Sequence, residues 1–395
     1  MTPQIVTYCS NLDQLTHLLT TPVTHLIFED PKISLRSFET TIHPGFTHLQ
    51  TWAQLARQTR PDIQLSFNLD ILAHTQHDKI ITLLINALKE AKITIIRVQD
   101  PGLILLIKTL YPEALIHLNT ETGNHNLISL THYQNMVTRQ VLSAELPIPT
   151  IHEFRQTLTC ELELMVHGPI LLQHSKRPFL DRIEPNTTFI TTLAEDNEYR
   201  GRFYTFHQNL HGHFMFANFD RSLINFIPEL MTLHLDAWLI DGRGQSSDYL
   251  DTAIRLFCTC ARKYAQHPDL WTLNKDDLAA LKNTTTRPFK PGFFLANLTD
   301  QDRSTPWEDN HHLTHLATAL DISKHWIAAE VHHPITSNTQ AQWVTPKGRE
   351  IDYPISEFFS LKNTPLTTAE PGTIILFPKP SHITSQSRLY SPRNR

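Results

Sequence analysis

Six acid–base side chains recur at or near the ends of short apolar runs: Asp70, Asp100, Glu121, Glu145, His167 and Asp241. Carboxylates and an imidazole held close together can pass a proton or gather a divalent cation. Around them stand neutral hydrogen-bonding groups, Ser34, Asn68 and Asn119, and three arginines, Arg36, Arg177 and Arg243. A guanidinium fork matches both oxygens of a carboxylate, which makes these residues candidates for binding a small dicarboxylic acid. Taken singly, an acid at a strand end is as readily a helix cap. Five acids and a histidine in equivalent places point to a pocket.

The runs that carry them are IVTYC (5–9), HLIFED (25–30), QLSFNLD (64–70), TIIRVQD (94–100), LIHLNTE (115–121), QVLSAEL (140–146), LELMVHG (162–168) and AWLIDG (237–242). In the third, alternation puts Ser66, Asn68 and Asp70 on one face and Leu65, Phe67 and Leu69 on the other. Helical patterns such as HDKIITLLINALKEA (77–91) and PGLILLIKTLY (101–111) separate the runs. Eight strand–helix units predict an α/β fold, a (β/α)8 TIM-like barrel whose strand ends converge on one rim. A doubly wound open sheet is the alternative, but no Gly-rich turn follows the first strand. The barrel is expected over 1–266, with a loop-and-hairpin insertion, 171–220, after the seventh strand. Residues 267–290 have the character of a linker. The runs WIAAEVHH, AQWVTP and GTIILFPKP predict a small C-terminal β-barrel over 285–395.

A chain of 395 residues, 40% hydrophobic, can bury a sizeable core. Its formal charge of −5 argues against a broad basic surface for nucleic acid. Lys176, Arg177, Arg200 and Arg202 form a local basic cluster in the insertion, suited to phosphate contacts. They are equally suited to pairing with Asp181, Glu184 and Glu198 on a solvated loop. Four cysteines make no disulfide framework, and no run reaches membrane length or resembles a signal peptide, so a cytoplasmic protein is expected. In HHLTH, His311 and His315 would share a helical face, a metal-binding geometry, though a solvated cluster is the better reading among 24 histidines. Cys258 and Cys260 would point to opposite sides of a helix. No HExxH, GxSxG or phosphate loop occurs, and no metal site is expected.

Several stretches resemble motifs of the collagenase-like peptidase U-32 family. They are ISLRSF (33–38), VQDPGLILLIKTLYPEALIHLNTETGNHN (98–126), ELELMVHG (161–168) and DAWLIDGRGQSSDYL (236–250), with PKGREIDYPISEFF resembling the family's C-terminal barrel. In that family the His-Gly of the seventh strand is normally followed by cysteines that, in several members, bind a four-iron cluster. The first two of these align here with Leu171 and Pro178, neither of which can ligate iron. The NTET and HSKRPFL stretches resemble the cysteine-free members found beside a cysteine-bearing paralogue. Further departures are Ala144-Glu145 for the usual Arg-Glu, Asp70 for Asn and Glu121 for Gln.

The resemblance implies three functions. The first is a part in prephenate-dependent 5-hydroxylation of the tRNA wobble uridine, with a cysteine-bearing paralogue as partner, tRNA as contact and no iron–sulfur cluster in this chain. Other relatives serve ubiquinone hydroxylation. The second is a peptidase that uses the acidic rim. The third is a catalytically silent partner subunit.

Overall fold

The computed structural model describes residues 2–119, 125–177, 180, 187–196, 203–285, 287–295, 313–345, 350–385 and 387–392. The chain divides into two compact units, Met1–Ala194 with Phe203–Pro306, and Glu195–Arg202 with Trp307–Arg395.

In the first unit eight parallel strands close on themselves. They are β1 (Gln4–Cys9), β2 (His25–Phe28), β3 (Gln64–Leu69), β4 (Ile95–Val98), β5 (Leu115–Asn119), β6 (Arg139–Leu142), β7 (Glu161–Ser175) and β11 (Ala237–Ile240). Each pairs with the next, and β11 closes the ring by pairing with both β7 and β1. A (β/α)8 barrel results, as the alternation of runs implies. One parity of each strand packs outward against the helices: Leu65, Phe67 and Leu69 of β3 join Ile96, Val98, Leu162, Leu164 and Trp238 in the main core. Fully burying such a side chain contributes about 1.5–3 kcal/mol. Short polar caps start several of the helices, as where the Ser246 hydroxyl accepts from the Tyr249 N–H at the head of Ser247–Gln266.

The other parity fills the barrel, and much of it is charged. Both terminal nitrogens of Arg97 donate to Glu163 at 3.0 and 2.8 Å, and Arg139 donates to the same carboxylate at 3.1 Å. Burial pushes the Glu163 carboxyl up, but the two guanidinium groups outweigh it and hold it at about 2. This buried triad has no signature in the sequence, because arginine inside short strands gives no signal of what it meets.

The insertion extends the barrel sheet. Strand β7 runs on past the rim, where its second half pairs antiparallel with β10 (Gly212–Ser222), followed in the sheet by β9 (Phe203–Asn209) and β8 (Ile190–Glu195). Strands β9 and β10 form an antiparallel hairpin, built from RFYTFHQ and HGHFMFA. Residues 267–290 are not a bare linker. They form a helix, Lys275–Lys282, that buries Leu281 in the barrel core, and a short strand β12 (Phe289–Lys290) that pairs with β10. Polar composition hid the few apolar anchors that dock this segment.

The second unit is an eight-stranded antiparallel sheet around Leu316, Ile327, Val331, Trp343, Phe358, Phe377 and Leu389. Strict alternation of burial along Trp326–Val331 is the period-2 pattern that marked these runs as strands. His315 belongs to the strand Leu313–Ile322 rather than to a helix, so its helical pairing with His311 does not arise; His311 and His312 lie outside the described residues.

Candidate functional site at the barrel mouth

At the C-terminal ends of the strands the loop after β2, which carries ISLRSF, bends over the mouth and is clasped by the hairpin. The Asn209 side-chain amide donates to the carbonyls of Leu35 and Ser37 at 3.0 and 3.1 Å, and the Phe38 and His207 rings stack at 4.0 Å. Leu35 packs with Phe214 and Phe216, with Leu171 against them. Asp70 accepts from the Leu35 N–H at 2.6 Å, and the Ser34 hydroxyl donates to the Asn68 carbonyl at 2.6 Å. These bonds fix the loop between Ser34 and Ser37, and so fix Arg36.

Arg36 meets Asp241, the residue that follows β11, at 3.4 Å. Asp241 is held more tightly by Arg243, whose Nε and Nη2 donate to its two oxygens at 3.0 and 2.6 Å. The same guanidinium reaches Glu29 at 3.4 Å and lies 3.6 Å over the Tyr8 ring. Ser10 donates to the other Glu29 oxygen at 2.9 Å. All of these but Ser10 are buried. Burial raises the Asp241 carboxyl, yet Arg243 and Arg36 prevail and leave it below the ordinary carboxylate range. For Glu29 the balance is reversed: burial, opposed by Arg243, carries it up to about 7. One carboxylate is thus fixed as an anion while its neighbour can hold or release a proton near neutrality. Glu29 and Tyr8 were missed in sequence. Glu29 is an acid at the end of HLIFED like the others; Tyr8, inside an apolar run, is indistinguishable from core.

Beside this cluster a small, partly open cleft is lined by Arg36, Asn119, Ser143 and Glu145, and by apolar Val141, Leu142, Met165, Ile170, Leu171 and Leu239. The Asn119 side-chain oxygen is buried without a hydrogen-bond partner, as is the Tyr8 hydroxyl. A cleft with one cationic group, polar points and an apolar floor suits a small organic acid.

The remaining sequence candidates scatter. Asp100 is occupied by backbone, accepting from Gly102 at 2.8 Å and Ala73 at 3.1 Å, the capping role. Glu145 stays on the cleft lining but is exposed, 3.9 Å from His125. Lys176 and Arg177 are exposed at the end of β7, with Lys176 3.0 Å from His74. Glu121, Pro178, Arg200 and Arg202 lie outside the described residues. The His167 side chain does not face the mouth. A register shift between β7 and β11 turns it outward, where it stacks on Tyr249 and meets Phe257 and Phe289 edge-on or tilted, with neither ring nitrogen hydrogen-bonded. Burial lowers it to about 3. Among the described residues no three His, Cys, Asp or Glu side chains are grouped to hold a metal ion, and no helix is long and apolar enough to cross a membrane.

A parallel (β/α)8 barrel with a charged, partly buried mouth defines the class. The chain belongs to peptidase family U32, whose family model matches residues 10–304. It is 25% identical over 194 residues to tRNA hydroxylation protein P2 of Bacillus subtilis, covering 46% of this chain and 60% of that protein. To tRNA hydroxylation protein P1 of the same organism it is 24% identical over 243 residues, 57% and 56% of the two chains. To tRNA hydroxylation protein P of Escherichia coli it is 36% identical over 93 residues, 22% and 20%. The matched regions thus span 60% or less of these relatives' own lengths.

Proposed function

We propose that this protein takes part in 5-hydroxylation of the tRNA wobble uridine, beside a cysteine-bearing U-32 paralogue, in the cytoplasm. The observation that carries the reading is its similarity to three relatives named for tRNA hydroxylation. The mouth supports it. Arg36 on the cleft wall would take a carboxylate of a small acid such as prephenate, with Asn119 and the apolar floor receiving the rest. Arg243 would orient Asp241, and Glu29 would handle a proton. Lys176 and Arg177 would meet tRNA phosphates. Leucine has no ligand atom for iron, and Leu171 packs beside Leu35, Phe214 and Phe216, so the donor set does not fit a cluster and none is proposed here.

A catalytically silent partner subunit is the second reading, favoured by Arg243 engaging both oxygens of Asp241. Mass spectrometry of tRNA nucleosides from a deletion strain tests the function. Loss of 5-hydroxyuridine derivatives, restored by the wild-type gene and not by Arg36→Gln, is expected. Normal wobble nucleosides in the deletion strain, with no redundant paralogue, would overturn it. Full restoration by Asp241→Asn would favour the silent partner.

A further inference from the structure

We propose that Arg221 is the anchor of a second ligand site, one that binds the carboxylate of a small apolar acid behind the wall of the mouth cleft. Arg221 is on β10, is fully buried, and pairs in the sheet with Gly168 of β7 and Lys290 of β12. Its Nη1 donates to the Ala144 carbonyl at 3.1 Å. Among the described residues its Nε and Nη2 have no hydrogen-bond partner, and no acidic side chain pairs with it. Every other arginine this deep in the barrel unit lies against a carboxylate: Arg97 and Arg139 against Glu163, Arg36 and Arg243 against Asp241.

An uncompensated buried charge is among the costliest features a fold can carry, and arginine does not escape by losing its proton at neutral pH. Burial lowers Arg221 only to about 9, so the cation persists. The two unused nitrogens form one edge of the guanidinium, with parallel N–H bonds spaced for the two oxygens of a single carboxylate. The Phe294 ring lies 5.7 Å from the guanidinium carbon, which favours an acid with an apolar body.

The position also offers a route in. Ala144, whose carbonyl accepts from Nη1, lines the mouth cleft, as do Pro169 and Ile170, the two residues that follow Arg221's partner Gly168. Arg221 is thus tied through Nη1 to the residue that forms that wall, and a shift of the half-buried segment at Ala144 would be the route by which a ligand reaches its free edge. Such a site stands whether or not the protein acts in tRNA modification.

The test is the thermal unfolding midpoint of the full chain titrated with benzoate, and separately with inorganic phosphate, at constant ionic strength. Benzoate should raise the midpoint of the wild type and of Arg36→Gln, because ligand bound only to the folded state stabilises it. Phosphate should raise it less. In Arg221→Met the benzoate shift should vanish, corresponding to at least about 30-fold weaker binding. Arg221→Lys, which keeps the charge without the fork, should show a reduced shift and serves if the Met variant does not fold. No benzoate shift in the wild type, an equal shift in the Arg221 variants, or a shift lost with Arg36 instead would overturn the proposal.

Discussion

Gly168 and Asp241 meet backbone to backbone at the rim. The Asp241 N–H donates to the carbonyl of His167 at 2.8 Å, and a β-carbon on Gly168 would lie 2.9 Å from that of Asp241 and nearer still to its carbonyl oxygen. Gly168 also has φ +133°, a conformation other residues rarely adopt. Gly168→Ala should therefore cost about 2 kcal/mol or more and displace Asp241 from its arginines. Denaturant unfolding reads the first effect. A variant as stable as the wild type would show that the two strands need not approach so closely.

Arg243→Lys should be poorly tolerated. Lysine keeps the charge but cannot serve both oxygens of Asp241 while lying flat on Tyr8. Losing the guanidinium altogether, in Arg243→Ala, leaves Asp241 and Glu29 short of their main cation and should cost about 3–5 kcal/mol in the same unfolding experiment. Equal stability of the Lys variant and wild type would contradict the bidentate geometry.

His167→Phe should fold normally and resist acid better than the wild type. The ring already lies among Tyr249, Phe257 and Phe289 and forms no hydrogen bonds through its nitrogens. Its folded pKa, lowered by burial to about 3, lies below the unfolded value of 6.5, so the unfolded chain binds the proton first as pH falls. Stability tied to this residue is complete above pH 6.5 and is lost between there and about 3, amounting to about 2 kcal/mol at pH 5. Thermal unfolding of both proteins from pH 7 to 5 measures it; parallel curves would place the histidine's proton elsewhere.

Much of this site was legible because strands obey a period of two. Ser66 and Asn68 inside the barrel, with Leu65, Phe67 and Leu69 outside, follow directly from alternation. The same rule misplaced His167, because one register shift between β7 and β11 reverses parity and no residue type announces it. Asp100 was ambiguous for a different reason: capping and catalysis ask for the same carboxylate at the same strand end. The partners of Arg243 were beyond reach, since Tyr8, Glu29 and Asp241 come together only when the first and last strands close the ring.

Protein purified without oxygen should be colourless and contain no stoichiometric iron. The thiols sit far apart in role: Cys9 is buried in the core, and Cys258 and Cys260 lie on the helix Ser247–Gln266 with burial raising both to about 11. Stoichiometric iron, measured beside a broad visible absorbance, would refute this.

Charge reversal at Lys176 and Arg177 should weaken tRNA association and flatten its salt dependence, by a slope of about 0.7–0.9 for each phosphate no longer neutralised. Both side chains are exposed at the end of β7, so folding should be unaffected. Filter binding across a salt series is the measurement, and an unchanged slope would remove these two residues from the proposed tRNA contact.

The fifteen residues of β7 serve two pairings in succession, parallel within the barrel and antiparallel with β10. In a barrel whose seventh strand stops at the rim, the next segment is a loop that can act as a gate. Here the same stretch of chain is a hydrogen-bonded ribbon, stapled through Asn209 and His207 to the loop that carries Arg36. This side of the mouth is a doorframe rather than a door.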